Sequence, residues 1–307
     1  MIIKFIMEAF LLAVAFDLIF GEPRPLFHPT VWIGTLIGFL DRHAPKSLKR
    51  TYGVLMALFC ICLAAIAGYI IPLLLYQVSP LVALLVTAYL LKSTFSLSFL
   101  WQISGDIHLD LKAGKLDAAR AKLPALVGRD VSKLDEGRMA SCVIESLGES
   151  FVDGIFSPVF YFVIFGLPGA MAYRAINTLD SMVGYKDEKH REVGWASARI
   201  DDIANFIPAR LAVLLMALMS GHPIRSVKIA MRDGGNAPSI NSGYPMAAFA
   251  GALGLRLEKS GYYVLGEGLK PCGVDDIPEA IWLNRLLAAT LVIIIVAIIC
   301  FTPLPLL

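Results

Sequence analysis

Charged residues are scarce in this chain: Asp, Glu, Lys and Arg make up 17% of its 307 residues, against 57% apolar residues. Soluble domains have about 25% charged and about 45–50% apolar residues. The deficit excludes an ordinary soluble domain and indicates an integral membrane protein. The net charge of +2 is too small for nucleic-acid binding through bulk charge, so no nucleic-acid partner is expected.

Several common site motifs are also missing. The chain has neither a Walker loop nor a G-x-G-x-x-G segment, so any nucleotide site is of another type. Its five cysteines are odd in number, and Cys60 and Cys62 have no second pair or His nearby, so we interpret the cysteines as buried thiols. No internal repeat or low-complexity linker is visible. One membrane-embedded domain over residues 1–307 is therefore predicted.

Long apolar runs are present in place of charge. Three are near the ~20 residues that a helix needs to span a bilayer: residues 53–76, 81–101 and 286–302. The N-terminal segment "FIMEAFLLAVAFDLIF" predicts a retained first helix, although it contains Glu8 and Asp17, and a cleaved signal peptide is the alternative. The prediction is an all-α, polytopic integral membrane protein with about four full transmembrane helices.

Two further apolar stretches are interrupted. Residues 155–172 contain two prolines and two glycines, and residues 206–220 begin with Pro208 and Arg210. Irregular backbone at membrane depth is tolerated only where protein or a water-filled cavity satisfies its polar groups. We therefore predict that both are broken, re-entrant or cavity-lining helices that do not complete a span, the first of them broken near Gly166–Gly169.

Basic residues indicate the orientation of the chain. They concentrate in residues 21–52 and 102–154, which the positive-inside rule places in the cytoplasm. Residues 102–154 have the spacing of amphipathic cytoplasmic helices, with a helix N-terminus near Ser132–Glu136. The predicted location is the cell (cytoplasmic) membrane, with the site facing the cytoplasm and both termini outside.

A polar block at residues 153–210 stands between apolar segments. On a helix Arg174, Asn177 and Ser181 share one face at i, i+3 and i+7, and Arg199, Asp202 and Asn205 form a similar face further along at i, i+3 and i+6. A solvated face with ordinary ion pairs is one interpretation. Ionisable groups beside membrane segments are costly, however, and this favours a functional site.

The residue types in this block suit phosphate chemistry. Carboxylate and amide oxygens of Asp and Asn can hold Mg²⁺ while leaving positions for phosphate oxygens. The guanidinium groups of Arg174, Arg199 and Arg210 can bind phosphates through two parallel hydrogen bonds. The combination suits phosphoryl chemistry with a nucleotide and Mg²⁺.

Three other stretches add polar groups. "FGEPRPLFHPTVWIG" places Glu22, Arg24 and His28 after the first helix, and a lone His there is also compatible with a structural role. "GRD" contains Arg129, and the following segment "ESLGESFVDG" places acids one helical turn apart. "NAPSINSGYP", residues 236–245, is a turn-rich loop that either binds an anion or only connects two helices.

Taken in their order along the chain, the segments quoted above resemble the CbiB/CobD family of adenosylcobinamide-phosphate synthases. The resemblance runs from "DLIFGEPRPLFHPTVWIG" to "VDDIPEAIWL". Its core is "DGIFSPVFYFVIFGLPGAMAYRAINTLDSMVGYKDEKHREVGWASARIDDIANFIPAR". The resemblance implies ATP-dependent joining of adenosylcobyric acid to (R)-1-amino-2-propanol O-2-phosphate, and we infer an acyl phosphate intermediate. The implied partners are these small molecules, the lipid bilayer and other membrane-bound enzymes of cobalamin assembly.

We assign candidate roles on this basis. The candidate catalytic residues are Asp202, Asp201, Arg199, Asn205 and His28. The candidate substrate- and ATP-binding residues are Arg174, Asn177, Asp180, Lys186, Arg210, Arg129, Ser239 and Asn241. The candidate metal ligands are Asp202, Asp153 and Glu149.

The sequence also departs from the common family pattern. Glu22 replaces an Asp and Ser150 an Asn, and in the late loop Ala237, Ile240 and Met246 replace a His, a Pro and a Glu. These changes weaken the late loop as a catalytic element and leave room for a related amine, such as ethanolamine phosphate or threonine phosphate. Two other functions stay open: a non-catalytic AmpE-like membrane sensor and a small-molecule transporter.

Overall fold

The computed structural model describes residues 2–185 and 187–301, and most of them are helical. The α-helices are α1 (Ile2–Phe20), α2 (Pro29–Arg42), α3 (Lys49–Val78), α4 (Pro80–Lys92), α5 (Ser98–Lys112), α6 (Leu116–Lys122), α7 (Glu136–Phe151), α8 (Ser157–Val183), α9 (Trp195–Met219), α10 (Pro223–Asp233), α11 (Gly243–Leu253) and α12 (Ile277–Phe301). A small sheet consists of β1 (Leu255–Lys259), β2 (Tyr263–Leu265) and β3 (Lys270–Pro271). β1 pairs antiparallel with β2 and parallel with β3. The all-α prediction is confirmed.

The backbone contacts divide the chain into two compact units. Unit 1 contains the described residues of 1–96, 157–204 and 293–307, and unit 2 contains residues 97–156 and 205–292. The single domain expected over residues 1–307 stays a prediction.

Membrane character is clear from the length and surface of the helices. Four segments of the described chain are long and apolar enough to cross a bilayer: Lys49–Val78, Glu136–Val183, Trp195–Met219 and Val274–Phe301. Large apolar side chains are exposed along α3, namely Leu55, Leu58, Phe59, Leu63 and Ile66. Such a surface is stable in lipid and costly in water, so the predicted polytopic membrane protein is confirmed.

The identity of the four segments differs from the prediction. Residues 53–76 lie in α3 as expected, and the predicted run 286–302 lies in α12 up to Phe301, where the described residues end. α1 contains three ionisable residues and is not among the four. The predicted span 81–101 is wrong as a single helix, because α4 ends at Lys92. The hydroxyls of Ser93 and Thr94 donate to backbone carbonyls three residues earlier, each at 2.6 Å, and these local bonds end the helix.

The predicted break near Gly166–Gly169 is present in α8. Gly166 has φ 66° and ψ −159°, a backbone conformation that is essentially restricted to glycine. The rings of Tyr161 and Tyr173 stack with centroids 5.3 Å apart, whereas twelve residues of straight helix would separate them by about 18 Å. The two halves of α8 therefore fold back on each other. A Cβ on Gly169 would lie 2.5 Å from the carbonyl oxygen of Tyr161, so this close approach needs glycine.

Residues 206–220, by contrast, do not form a broken helix, and that prediction is wrong for their geometry. Residues 206–219 are the second part of α9, which continues through Pro208. Proline has no N–H to donate to the carbonyl four residues earlier, which here belongs to Ala204. The Tyr161 hydroxyl donates to that carbonyl at 2.9 Å and replaces the missing bond.

The amphipathic helices expected in residues 102–154 are α5, α6 and α7. Asp135 caps α7 by accepting a hydrogen bond from the Arg138 N–H at 2.8 Å, within the segment where the sequence indicates a helix start. α7 is the centre of unit 2: Gly148 packs against Phe249 of α11, and Asn284 of α12 donates to the Leu147 carbonyl. Unit 2 therefore holds the residues of α7 on a rigid, buried helix.

Candidate functional site

In unit 1, four ionisable side chains form what we call the His28 cluster: Asp17, Glu22, His28 and Lys92. The ammonium of Lys92 lies 2.8 Å from Glu22 and 3.3 Å from Asp17, and its side chain is only 2% exposed. His28 Nε2 lies 2.9 Å from the same Glu22 carboxylate. The cluster joins the end of α1, the loop before α2 and the end of α4. Burial raises the pKa of Glu22, but hydrogen bonds to His28 and Lys92 outweigh it and lower that pKa to about 2.

The ring of His28 is held on both sides. Its Nδ1 accepts a hydrogen bond from the Thr30 N–H at 3.3 Å, which caps the N-terminus of α2. Because Nδ1 is then an acceptor, Nε2 carries the proton and donates to Glu22. In this geometry both ring nitrogens bind groups of the protein, so His28 orients the loop rather than presenting a free nitrogen to a substrate.

The predicted phosphate-binding residue Arg174 adjoins this cluster. Thr30 Oγ1 donates to the Ser93 carbonyl at 2.6 Å and accepts from Arg174 Nε at 3.3 Å. Arg174 also donates to the Asn177 side chain at 3.4 Å, on the helix face that the sequence spacing predicts. Thr30 therefore links the start of α2, the end of α4 and the guanidinium group of α8.

The acids of α8 and α9 come together in unit 1. The carboxylates of Asp180 and Asp202 are close enough to interact electrostatically. Arg199 donates to Asp202 at 3.2 Å, and Asp201, one residue earlier on α9, interacts with Tyr161. Asp201 and Asp202 thus have different neighbours, as expected for adjacent residues on a helix.

The fit of a divalent cation depends on these oxygens. Within residues 2–185 and 187–301 no group of three or more His, Cys, Asp or Glu side chains is arranged as a complete metal site. Mg²⁺ usually binds through one or two carboxylates together with substrate phosphates and water. The donors at Asp180 and Asp202 are hard oxygens whose mutual repulsion a cation would relieve, so they fit Mg²⁺. Of the other predicted ligands, Glu149 lies on α7 and Asp153 in a π-helical turn, both in unit 2.

Unit 2 contains a second polar group, which we call the Glu145 cluster: Arg129, Ser141, Cys142, Glu145 and Tyr263. The buried Glu145 carboxylate accepts hydrogen bonds from Ser141 at 2.8 Å, Tyr263 at 2.9 Å and Arg129 at 3.4 Å. Arg129 also donates to the Cys142 sulfur. Burial and the Glu145 carboxylate both raise the pKa of Tyr263, so its phenol keeps the proton that it donates.

The late loop of residues 236–245 is anchored in unit 2 by Arg210 of α9. Its guanidinium group donates to the Asn241 side chain and to the Ile240 carbonyl, the latter at 3.2 Å. It also packs over the Tyr244 ring. Ser239 accepts from the Asn241 N–H at 3.2 Å and shapes the turn. In this conformation Arg210 holds a loop of the protein, which is a different task from the predicted phosphate contact.

The predicted site residues thus fall into separate groups. Unit 1 holds His28, Arg174, Asn177, Asp180, Arg199, Asp201 and Asp202. Unit 2 holds Arg129, Glu149, Asp153, Asn205, Arg210, Ser239 and Asn241. Lys186 lies outside the described residues. The sequence interpretation did not single out Lys92, Thr30 or Tyr263, although a lysine inside the apolar run "LVALLVTAYLLKSTF" is a visible signal.

These features define a polytopic α-helical membrane protein. Next to its apolar segments, the helices α8 and α9 have faces that contain arginine and aspartate. Residues 10–284 match the family model of the CobD/CbiB protein, and the chain belongs to this family. No solved structure matches the chain.

Proteins of similar sequence support the assignment of the chain to this family. The chain is 39% identical over 307 residues to the "Probable cobalamin biosynthesis protein CobD" of Methanothrix thermoacetophila, covering 93% of this chain and 96% of the relative. It is 39% identical to the cobalamin biosynthesis protein CobD of Dehalococcoides mccartyi, covering 87% and 88%. It is 41% identical to the protein of that name from Geobacter metallireducens, covering 85% and 86%.

Proposed function

We propose that this protein is a cobalamin-biosynthetic ligase of the cell membrane. It would join adenosylcobyric acid to (R)-1-amino-2-propanol O-2-phosphate, or to a close relative of that amine, with cleavage of ATP. The observation that carries the proposal is the match of residues 10–284 to the CobD/CbiB family. The relatives' printed names, which assign them to cobalamin biosynthesis, support the pathway.

The chemistry follows from the low reactivity of a carboxylate. The propionate oxygen attacks the γ-phosphorus of ATP, which forms an acyl phosphate and releases ADP. The amine then attacks the acyl carbon, loses a proton and expels inorganic phosphate, which leaves the amide. One ATP is consumed for each amide, and one carboxylate oxygen leaves with the phosphate.

Residues of unit 1 supply groups suited to these steps. Arg174 and Arg199 offer guanidinium groups for phosphate oxygens, and Asn177 offers an amide beside Arg174. Asp180 and Asp202 would hold Mg²⁺, which neutralises phosphate charge when bound. His28, with both ring nitrogens engaged, is assigned a positioning role through the cap of α2.

Because ATP is found in the cytoplasm, the proposed site faces the cytoplasmic side of the membrane. The basic residues of 21–52 and 102–154 favour the same orientation. The lipid bilayer is a permanent partner, and other membrane-bound enzymes of cobalamin assembly are proposed as neighbours.

The test uses the full chain purified in detergent with adenosylcobyric acid, aminopropanol phosphate, ATP and Mg²⁺. Mass spectrometry should detect the amide, with ADP and inorganic phosphate formed in equal amounts. With ¹⁸O in the substrate carboxylate, one label should appear in the released phosphate. AMP and pyrophosphate as products would contradict the acyl phosphate. Corrinoid binding without any amide from aminopropanol phosphate, ethanolamine phosphate or threonine phosphate would favour the non-catalytic sensor instead.

A further inference from the structure

Helix α10 has one face that packs and one that does not. Ser226, Ile229, Ala230 and Asp233 are buried. Ser226 donates to the Ala248 carbonyl of α11 at 2.8 Å, and a Cβ on Gly251 of α11 would lie 2.8 Å from the Cα of Ser226. This side of α10 is therefore in close contact with α11, and the helix has a defined rotation within unit 2.

The opposite face of α10 is apolar and exposed. Ile224 is 83% exposed, Met231 72% and Val227 36%. At about 100° per residue these three side chains fall within about 60° of one another. Single exposed apolar residues are ordinary, but a stripe along a short helix marks an interaction surface.

Basic side chains flank this stripe on one side. Lys228 and Arg232 are exposed, and Arg225, on the same flank, donates to the Gly251 and Ala252 carbonyls. Asp233, the acid of this helix, is buried and paired with Arg232. A helix with an apolar stripe beside lysine and arginine is typical of one that lies on an anionic membrane surface.

The position of α10 in the chain indicates what covers the stripe. α9 ends at Met219 and α10 begins at Pro223, so α10 directly follows a candidate span. The last turns of α9 expose an apolar row made of Ile207, Leu211, Leu214 and Leu218. α10 itself has 11 residues and is about 16 Å long, too short to cross a hydrocarbon core of about 30 Å.

We propose that α10 lies along the bilayer surface, with Ile224, Val227 and Met231 in the boundary between headgroups and acyl chains. Lys228 then faces the phosphates of anionic lipids. The helix anchors unit 2 to the membrane at the end of α9. This role is independent of the proposed ligase activity.

The test uses the full chain in phosphatidylcholine–phosphatidylglycerol vesicles. Cys62, Cys272 and Cys300 are replaced by Ser, and brief labelling spares the buried Cys60 and Cys142. Single cysteines at Met231, Ile224 or Lys228 then receive an environment-sensitive dye, and the unsubstituted background serves as the labelling blank. Tyr262→Cys is the matched control, because Tyr262 is 71% exposed in the turn between β1 and β2.

Quenching by lipids brominated on the acyl chain should be several-fold stronger for Met231→Cys and Ile224→Cys than for Tyr262→Cys. Aqueous iodide should show the reverse order, with Lys228→Cys between the two. Iodide quenching at Met231 equal to that at Tyr262 would overturn the proposal, because the stripe would then face water. Protection from both quenchers would also overturn it, because another protein surface would cover the stripe.

Discussion

Lys92 and Asp17 form a buried ion pair between two helices: the Lys92 Nζ lies 3.3 Å from the Asp17 carboxylate, and the side chains are 2% and 0% exposed. The Glu22 carboxylate is the second acidic group in contact with the Lys92 ammonium, at 2.8 Å. Burying charges is favourable only when each has its partners, so this network stabilises one arrangement of α1, α4 and the loop before α2.

Removal of Lys92 should therefore destabilise the protein strongly. Lys92→Met leaves two acids facing each other without a cation, at an expected cost of about 3–5 kcal/mol. The melting temperature in detergent measures the loss. Lys46→Met, at an exposed lysine, should change stability by less than about 0.5 kcal/mol. The double variant Asp17→Asn/Lys92→Met should recover part of the loss, and strictly additive effects would show that the pair does not interact.

Glu22 should give a specific pH dependence. Its pKa is lowered from 4.5 to about 2 in the folded protein, so its carboxylate stabilises the fold above pH 4.5. That contribution disappears as the pH falls from 4.5 to about 2. Glu22→Gln should therefore melt below the wild type at neutral pH, and the gap should close in acid. A gap that stays constant down to the lowest pH would contradict the lowered pKa.

The two adjacent acids of α9 should differ in their effect on turnover. Asp202 contacts Arg199 and interacts with Asp180, whereas Asp201 interacts with Tyr161. We expect Asp202→Asn to lower kcat/KM by roughly 100-fold or more, about 2.7 kcal/mol, and Asp201→Asn to lower it less. Amide formation measures turnover, and the melting temperature controls for folding. Near-normal turnover in Asp202→Asn would remove this residue from the mechanism.

Gly166 should resist substitution. Its backbone conformation is strained for any other residue, so Gly166→Ala should cost about 1–3 kcal/mol. Gly105, inside α5, is the control, because a Cβ added there would have nothing within 4 Å and the change in stability should have the opposite sign. Gly105→Ala should stabilise by about 0.5–1 kcal/mol. Equal melting temperatures for the two alanine variants would show that α8 is not folded back at Gly166.

The orientation in the membrane is measurable at Glu188, an exposed residue between α8 and α9. An impermeant thiol reagent should label Glu188→Cys only after cell lysis, since the segment is expected in the cytoplasm. Gln77→Cys, at an exposed position in the last turn of α3, should be labelled in intact cells. Both are made in a background without native cysteines. Labelling of Glu188→Cys in intact cells would reverse the predicted topology.

Local patterns were sufficient for much of the fold. The apolar runs of α3 and α12, the cap at Asp135 and the break at Gly166 each depend on neighbouring residues, so a single sequence indicates them. The i, i+3 contacts of Arg174 with Asn177 and of Arg199 with Asp202 follow from helical spacing in the same way.

What the sequence did not indicate depends mostly on residues far apart in the chain. The local hydroxyl bonds of Ser93 and Thr94 end α4, but its last residue, Lys92, pairs with Asp17 and Glu22, and no local pattern shows this pairing. α9 continues through Pro208 because Tyr161 bonds the carbonyl that the proline leaves without a donor. The partners of His28 are near it in the chain, but the short segment between α1 and α2 that brings Glu22 and Thr30 to its two ring nitrogens has no periodic pattern from which this arrangement follows.

The short α4 has a consequence for the lipid around it. A helix of 13 residues is about 20 Å long, roughly 10 Å less than the hydrocarbon thickness of an average bilayer. If α4 enters the hydrocarbon core from one surface, the chain reaches Lys92 before it reaches the far headgroups, and the lipid beside this helix then has to thin or water has to enter. Hydrophobic mismatch of this kind makes the stability of a membrane protein sensitive to acyl-chain length. We expect the arrangement around Lys92 to be most stable in thin bilayers and to weaken as the lipid chains lengthen.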